Sequence, residues 1–291
     1  MILTGRGIKL TRDPLPSPGR VAVPILSGMQ TTPSVDLERA LGLAERLADA
    51  ARSLALKYFR RPIEIELKPD HSPVTVADRT IEQELRRLIR AEFPSHGIQG
   101  EEFGVEDGGD WRWVLDPIDG TKSFICGMPL FGTLIALMEG DRAVIGVVEA
   151  PASGERWVGC HGRPTRLNGA IARTSPCTRL DRARIYTTSP DSFRGDEGRH
   201  YDAMSRKAGL RRYGGDCYSY GLLASGHCDL VVEAGLKPHD YLALIPVIEG
   251  AGGKITDWEG MPLGLHSSDR IVAAATAALS AEAIEALAQA R

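Results

Sequence analysis

The sequence predicts an α+β protein in two joined halves, an antiparallel-sheet half followed by an α/β half. Three observations predict it. Apolar, β-branched runs around Val114, Phe131 to Met138, Val144 to Glu149 and Arg156 to Cys160 are joined by short Gly-containing turns, the pattern of antiparallel hairpins. After the polar stretch Arg173 to Arg184, short strands alternate with helical periods, as an α/β layer requires. With 291 residues and 43% hydrophobic content, the chain is long enough to bury one large core or two joined ones.

Residues 1–33 differ from the rest. Pro14, Pro16, Pro18, Pro24 and Pro33 punctuate a segment with several Arg and Lys and one acid, Asp13, so a flexible tail is expected. Its Arg-rich, acid-poor character resembles a transit segment but lacks an amphipathic period, and Met29 offers an alternative start. The first half is expected over 34–180. There Leu37, Ala40, Leu41, Ala44, Leu47, Ala48, Ala51, Leu54 and Ala55 trace a long amphipathic helix. A strand alternating at Ile63, Ile65 and Leu67 follows, then a helix from Asp78 with Ile81, Leu85, Leu88 and Ile89 on one face, then the four strands. The second half, 181–291, reads as a strand at Ile185, a helix over 201–208, a strand at Arg211, a helix over 218–225 and a strand at Leu230. A helix over 241–249, strands at Lys254 and Ile271 and an Ala-rich closing helix complete it. Pro246 lies inside the helix over 241–249 and is expected to kink it.

Chemistry concentrates where the strand beginning at Trp111 ends, in Asp116-Pro117-Ile118-Asp119-Gly120-Thr121-Lys122-Ser123-Phe124. Pro117 cannot donate to a sheet ladder and keeps Asp116 extended, so Asp116 and Asp119 face one small volume. Carboxylates that close repel each other unless a hard cation lies between them, and Mg²⁺ prefers a few carboxylate oxygens with water and substrate phosphate. Gly120 permits a tight turn, after which amides such as that of Thr121 can face an anion. A plain surface turn uses the same residue types. Three further acidic positions fit the same cation. Asp78 begins a helix, although Thr75 and Asp78 also have capping-box spacing. Glu101 and Glu102 are like charges held in a tight loop between Gly100 and Gly104. Asp240 opens a helix, where an N-cap would also suit it.

In order and spacing, Gly100-Glu101-Glu102, Asp116 to Phe124, Asp240 and Glu249-Gly250-Ala251-Gly252-Gly253 resemble the inositol-monophosphatase-like family of metal-dependent phosphomonoesterases. The resemblance spans about Asp36 to Ala290. Within it, Asp116 to Leu137, Gly162 to Gly169, Tyr186 to Pro190 and Tyr213 to Gly226 are most similar to the histidinol-phosphatase branch. Two positions depart from that branch: Cys126 where Thr or Ser is usual, and His239 where Tyr is more usual. His239 adjoins Asp240 and can alter local pH dependence.

The resemblance implies a layered α-β-α-β-α sandwich of the sugar-phosphatase type and a homodimer. It also implies a Mg²⁺ held by Glu101, Asp116 and the Ile118 carbonyl, and a second held by Asp116, Asp119 and Asp240. A third, looser ion would be held by Glu101 and Asp78. Asp78 and Thr121 would orient the attacking water, with Lys68 balancing charge. Gly120 and Thr121 would meet the phosphate, and Asp216 and Glu233 the rest of the substrate; as a plain alternative, Asp216 caps the helix that follows it. The activity implied is hydrolysis of L-histidinol phosphate in histidine biosynthesis. The alternatives are phosphatases of inositol or related polyol phosphates, or of 3′-phosphoadenosine 5′-phosphate. Acids at Asp216 and Glu233 suit a substrate with an amine and an imidazole. Ligation by carboxylates alone disfavours zinc.

Other classes are excluded directly. Asp116 and Asp119 are not the D-x-D of a phosphatase that forms an aspartyl-phosphate, and there is no P-loop, H-E-x-x-H or G-x-S-x-G motif. Gly250 to Gly253 ends a helix rather than opening one, so it reads as a C-cap and not as a dinucleotide site. A net charge of −3 argues against nucleic acid, and Arg86 with Arg87, or Arg211 with Arg212, read as solvated faces. No apolar run approaches the ~20 residues that span a bilayer. The five cysteines form no C-x-x-C pair, which is expected of reduced thiols in a cytoplasmic protein.

Overall fold

Helix α1 (Leu37–Tyr58) buries Ala40, Leu43, Ala44, Leu47, Ala48, Ala51 and Ala55, one stripe of small and apolar side chains. The computed structural model describes residues 37–69 and 73–289, so the tail expected over 1–33 lies outside the described residues. A hairpin follows, β1 (Ile65–Leu67) against β2 (Pro73–Thr75), with Ile65 opposite Thr75. The alternation at Ile63, Ile65 and Leu67 predicts a strand, and the strand is there from Ile65. It pairs only with β2 and all three of its residues are exposed, because alternation records the period of a strand and not its depth. Helix α2 (Val76–Glu92) buries Ile81, Leu85 and Ile89 as expected.

The first large sheet takes β3 (Gly97–Gly100), β4 (Gly104–Glu106) and β5 (Trp111–Asp119), then, past the short helix α3 (Thr121–Ile125), β6 (Gly132–Glu139), β7 (Arg142–Ala150) and β8 (Glu155–Cys160). The hairpin β9 (Arg166–Leu167) and β10 (Ala170–Ile171) closes it. Strand order is β10-β9-β8-β7-β6-β5-β3-β4, antiparallel throughout except that β3 and β5 run parallel. The second sheet holds β11 (Arg184–Thr187), β12 (Leu210–Tyr213), β13 (Leu230–Glu233), β14 (Lys254–Asp257) and β15 (Ile271–Ala274) in the order β12-β11-β13-β15-β14. It is mixed: β12, β11 and β13 are parallel, β15 and β14 antiparallel.

Five layers result. Helices α1 and α2 pack on each other and on the first sheet. Between the sheets lie α5 (Asp216–Ala224) and α7 (Leu244–Gly250), which touch strands of both. Helices α4 (Glu197–Ser205) and α8 (Ala277–Gln289) pack together outside the second sheet. The fold is an α-β-α-β-α sandwich. Its central core runs from Leu134, Val148 and Trp157 through Tyr220, Leu223 and Val247 to Val231 and Ile271. Among the described residues, no helix is long and apolar enough to cross a membrane.

The single helix expected over 241–249 is in fact two, α6 (Pro238–Tyr241) and α7. Pro246 is the reason. Lacking an N–H, it cannot bond back to residue 242, so the helix restarts with Pro246 in its first turn, where an amide would have no partner anyway. The break is pressed onto the first sheet at two glycines. A Cβ at Gly146 would lie 2.0 Å from the Ala243 carbonyl oxygen, and one at Gly159 2.4 Å from the Pro246 backbone. Gly146→Val is therefore expected to cost about 3 kcal/mol by overpacking. The check is a denaturant titration, in which the midpoint falls while the slope is kept.

Candidate active site

Strand β5 ends in a bulge. Asp116 pairs with Leu134 and Asp119 with Gly132, so three steps on β5 answer two on β6. Pro117 occupies the extra length, and its carbonyl accepts the Thr133 hydroxyl at 2.8 Å. The bulge ends at Gly120, whose φ of 81° is left-handed backbone that a larger residue adopts only with strain. Asp116 is 2% exposed, and its Oδ1 is a buried oxygen with no hydrogen-bond partner. Asp119 accepts the Cys217 amide at 2.6 Å from the first turn of α5.

Asp78 is the third residue of α2 and does two jobs. Its Oδ2 accepts the Thr75 amide at 2.8 Å and the Thr75 hydroxyl at 2.6 Å, completing the capping box. Its Oδ1 faces the Thr121 hydroxyl at 3.5 Å, a long contact, since that hydroxyl donates to the Ile118 carbonyl at 3.0 Å. Asp240 is not the N-cap of its helix. It is the third residue of α6, and its Oδ2 reaches back to the Lys237 amide at 2.7 Å, leaving Oδ1 3.5 Å from His239 Nε2.

The Glu101 turn between β3 and β4 is held from below by α2. Glu82, fully buried, accepts the Glu102 amide at 2.7 Å and the Phe103 amide at 3.2 Å. Arg86, 2% exposed, binds Glu82, Glu106 and the Gly104 carbonyl. The reading of Arg86 as a solvated residue is thus corrected, whereas Arg87 is exposed and pairs with Glu84. The signal that marks Arg86 is the i, i+4 ladder Asp78, Glu82, Arg86, which shares the helix face of Ile81, Leu85 and Ile89. From above, Lys68 binds Glu101 at 2.7 Å and Glu102 at 2.6 Å. Burial works against its charge, but these two carboxylates outweigh burial and hold its pKa above the usual lysine value.

Two constellations emerge. Ligand atoms of Asp116, Asp119 and Asp240 lie within 4.8 Å of one another, as do those of Glu101, Asp116 and His239. Asp116 belongs to both, and its partnerless Oδ1 is the oxygen a cation would satisfy. Burial first, then Glu101, Asp119 and Asp240, push the Asp116 pKa well above the carboxylate range. Burial, then Asp216 and Asp240, do the same for Asp119. Burial also raises Asp78 and Asp240, the latter against the lowering influence of His239. Carboxylates so placed fit divalent cations, because only positive charge relieves both the desolvation and the repulsion.

Asp216 lies at the edge of this cluster. It caps nothing: its helix has no side-chain cap, its φ is +45°, and its Oδ2 accepts the Ser123 hydroxyl at 2.9 Å. A Cβ on Gly120 would lie 2.9 Å from its carboxyl carbon, so it stands directly over the turn after Asp119. Glu233 lies deeper, 5% exposed, with one oxygen on the Thr188 amide at 2.8 Å and the other on the Tyr220 hydroxyl at 3.0 Å. Both of its oxygens are engaged, and burial raises its pKa.

The sequence pattern of the inositol monophosphatase family matches residues 36–291. The chain belongs to that family. Among relatives, the bifunctional phosphatase IMPL2, chloroplastic, of Arabidopsis thaliana is 46% identical over 262 residues, 87% of this chain and 76% of that protein. A histidinol-phosphatase of Chlorobaculum parvum is 39% identical, over 77% of this chain and 86% of its own. The solved structure of an inositol monophosphatase from Zymomonas mobilis superposes with a TM-score of 0.81 at 46% identity, covering 87% and 99%. As a member of the inositol monophosphatase family, this protein is a phosphatase.

The raised carboxylates give pH dependence a definite sign. Their folded pKa values exceed the unfolded ~3.9, so the ionised groups oppose folding above the folded pKa, and that penalty fades as pH falls toward the unfolded value. Chelator-treated protein should therefore gain thermal stability as pH falls toward the unfolded carboxylate value, and a divalent cation at ~100 times its Kd should add about 2.7 kcal/mol where the carboxylates are ionised. Scanning calorimetry with and without Mg²⁺ reads both. Under chelation Asp116→Asn, which removes the least compensated charge, should melt higher than the parent by about 1–2 kcal/mol while releasing no phosphate.

Proposed function

We propose that this phosphatase hydrolyses L-histidinol phosphate to L-histidinol and phosphate, with Mg²⁺ as its cofactor. The observation that carries the reading is Asp216, a carboxylate placed against Gly120 with the buried carboxyl of Glu233 behind it. A leaving alcohol that bears an amine and an imidazole meets negative charge there. A neutral polyol gains little from it, and a second phosphate is repelled. Relatives named histidinol-phosphatase, at 39% identity in Chlorobaculum parvum and 37% in Streptomyces coelicolor, support the same assignment.

Glu101, Asp116 and the Ile118 carbonyl would hold one ion in this reading, Asp116, Asp119 and Asp240 a second, and Glu101 with Asp78 a looser third. Mg²⁺, when bound, supplies an acidified water and neutralises charge on the phosphoryl oxygens. The chain does the rest. Asp78 Oδ1 and the Thr121 hydroxyl, which face each other, orient the attacking water for in-line displacement. Thr121 spends its proton on the Ile118 carbonyl and so presents lone pairs to that water. Gly120 and Thr121 seat the phosphate beyond the bulge. Lys68 balances Glu101 and Glu102, keeping the turn in place between substrates. No covalent intermediate is involved.

A second reading, hydrolysis of inositol phosphate or a related polyol phosphate, is favoured by the Zymomonas mobilis structure, whose protein is described as an inositol monophosphatase. Phosphate release with Mg²⁺ from L-histidinol phosphate, myo-inositol 1-phosphate and 3′-phosphoadenosine 5′-phosphate separates the two. Asp216→Ala should lower kcat/KM for histidinol phosphate about 100-fold, the ~3 kcal/mol of a charged hydrogen bond, and change the inositol ester by less than about threefold. Equal losses on both esters would sink the substrate assignment.

A further inference from the structure

We propose that His239 joins Glu101 and Asp116 in a mixed oxygen and nitrogen ligand set, so that one ion position binds a first-row transition cation, of the kind Co²⁺ represents, more tightly than carboxylates alone would. The inference rests on the cation-dependent reading of the site but concerns which ion one position takes and through which atom. One ligand atom from each residue lies within 4.8 Å of the other two. Around an ion with bonds of ~2.1 Å, donors stand roughly 3 Å apart in cis and roughly 4.2 Å in trans, so closing the set onto a cation draws its cis pairs together by at most about 2 Å.

Two observations point to a ligand rather than to packing. Asp116 Oδ1 is buried and has no hydrogen-bond partner. His239, whose side chain is only 10% exposed, is not accounted for by Asp240: its Nε2 stands 3.5 Å from that carboxylate, well beyond the ~2.7–2.9 Å of a charge-assisted hydrogen bond. The geometry of α6 explains the pairing. His239 and Asp240 are consecutive on one short helix, so the imidazole is delivered to the group shared with Glu101 and the carboxylate to the group shared with Asp119. Asp116 serves both.

The chemistry of the donors decides the ion. Mg²⁺ prefers oxygen and keeps its waters, whereas imidazole nitrogen strengthens binding along the series from Mn²⁺ through Co²⁺ to the later metals. An all-carboxylate set follows the same order less steeply, so the nitrogen adds to the preference. With His239 in place, the two cation positions become chemically unequal: one is oxygen only, the other carries nitrogen.

The test uses the full chain stripped of metal and needs no turnover. Co²⁺ is added and read by its visible absorption, Mn²⁺ by pulsed electron paramagnetic resonance, where a directly bound imidazole shows as nitrogen coupling. Calorimetric titrations of Co²⁺ and Mg²⁺ are run on the parent and on His239→Phe. The expected result is nitrogen coupling in the parent and a loss of Co²⁺ affinity in the variant of at least about 10-fold, with Mg²⁺ affinity held within roughly threefold. Absence of nitrogen coupling in the parent overturns the proposal whether or not the variant folds, and so does an equal loss for both ions. Because phosphate release is not measured, failure here leaves the phosphatase reading standing, and failure of that reading leaves the nitrogen signal intact.

Discussion

Like charge held out of water is the constraint around which this molecule is arranged. Asp78, Asp116, Asp119 and Asp240 crowd one volume, and burial pushes each toward its neutral form. Such a cluster is unfavourable to the fold by itself, since the amides that favour the ionised forms of Asp78, Asp119 and Asp240 do not offset burial and repulsion. The surrounding structure over-determines it instead. A bulge fixes Asp116 relative to Asp119, an α5 amide holds Asp119, and two capping interactions fix one oxygen each of Asp78 and Asp240. What remains unengaged, above all Asp116 Oδ1, is the oxygen a cation would satisfy.

Helix α2 shows how much support such a cluster needs. Asp78, Glu82 and Arg86 rise along one face, and each reaches a different part of the site: the Thr121 turn, the Glu102 and Phe103 amides, and the Gly104 carbonyl. A buried ionic ladder of this kind contributes little net stability, because its desolvation offsets its attraction. Its value is positional. Gly100 has no room for a side chain, since a Cβ there would lie 2.0 Å from Glu82 Oε1, so turn and helix interlock in one arrangement.

The fold was legible where the signal is local and periodic. The apolar stripe of α1, the Ile81, Leu85, Ile89 face of α2 and strands β5 to β8 follow from side-chain spacing alone, whereas β3, β4, β9 and β10 are too short to show a period. Signals that depend on tertiary context were not legible. Alternation at Ile65 and Leu67 gave a strand but not its exposure; Pro246 marked a disturbance, but only packing against Gly146 and Gly159 shows that it takes the form of a restart. In the site, the bulge residues announce themselves through Asp-Pro-Ile-Asp-Gly, whereas assembly with Asp240, far along the chain, was reachable only through family resemblance. Glu82 and Arg86 were hidden because charged residues on a helix ordinarily face water. His239 was noticed for its neighbour and not for the pair across the cleft that its imidazole meets.

The distance in sequence between Asp116 and Asp240 also bears on how the protein is made. Both β5 and β6 leave the ribosome long before α6, and the first sheet has its own short-range hairpins with which to begin folding. The acids of the bulge therefore exist for a time without the helix that completes their ion-binding volume. A cation meeting them in that interval would find an incomplete set of donors. The full donor set of Asp116, Asp119 and Asp240 thus exists only after α6 has been made, when most of the chain is already in place.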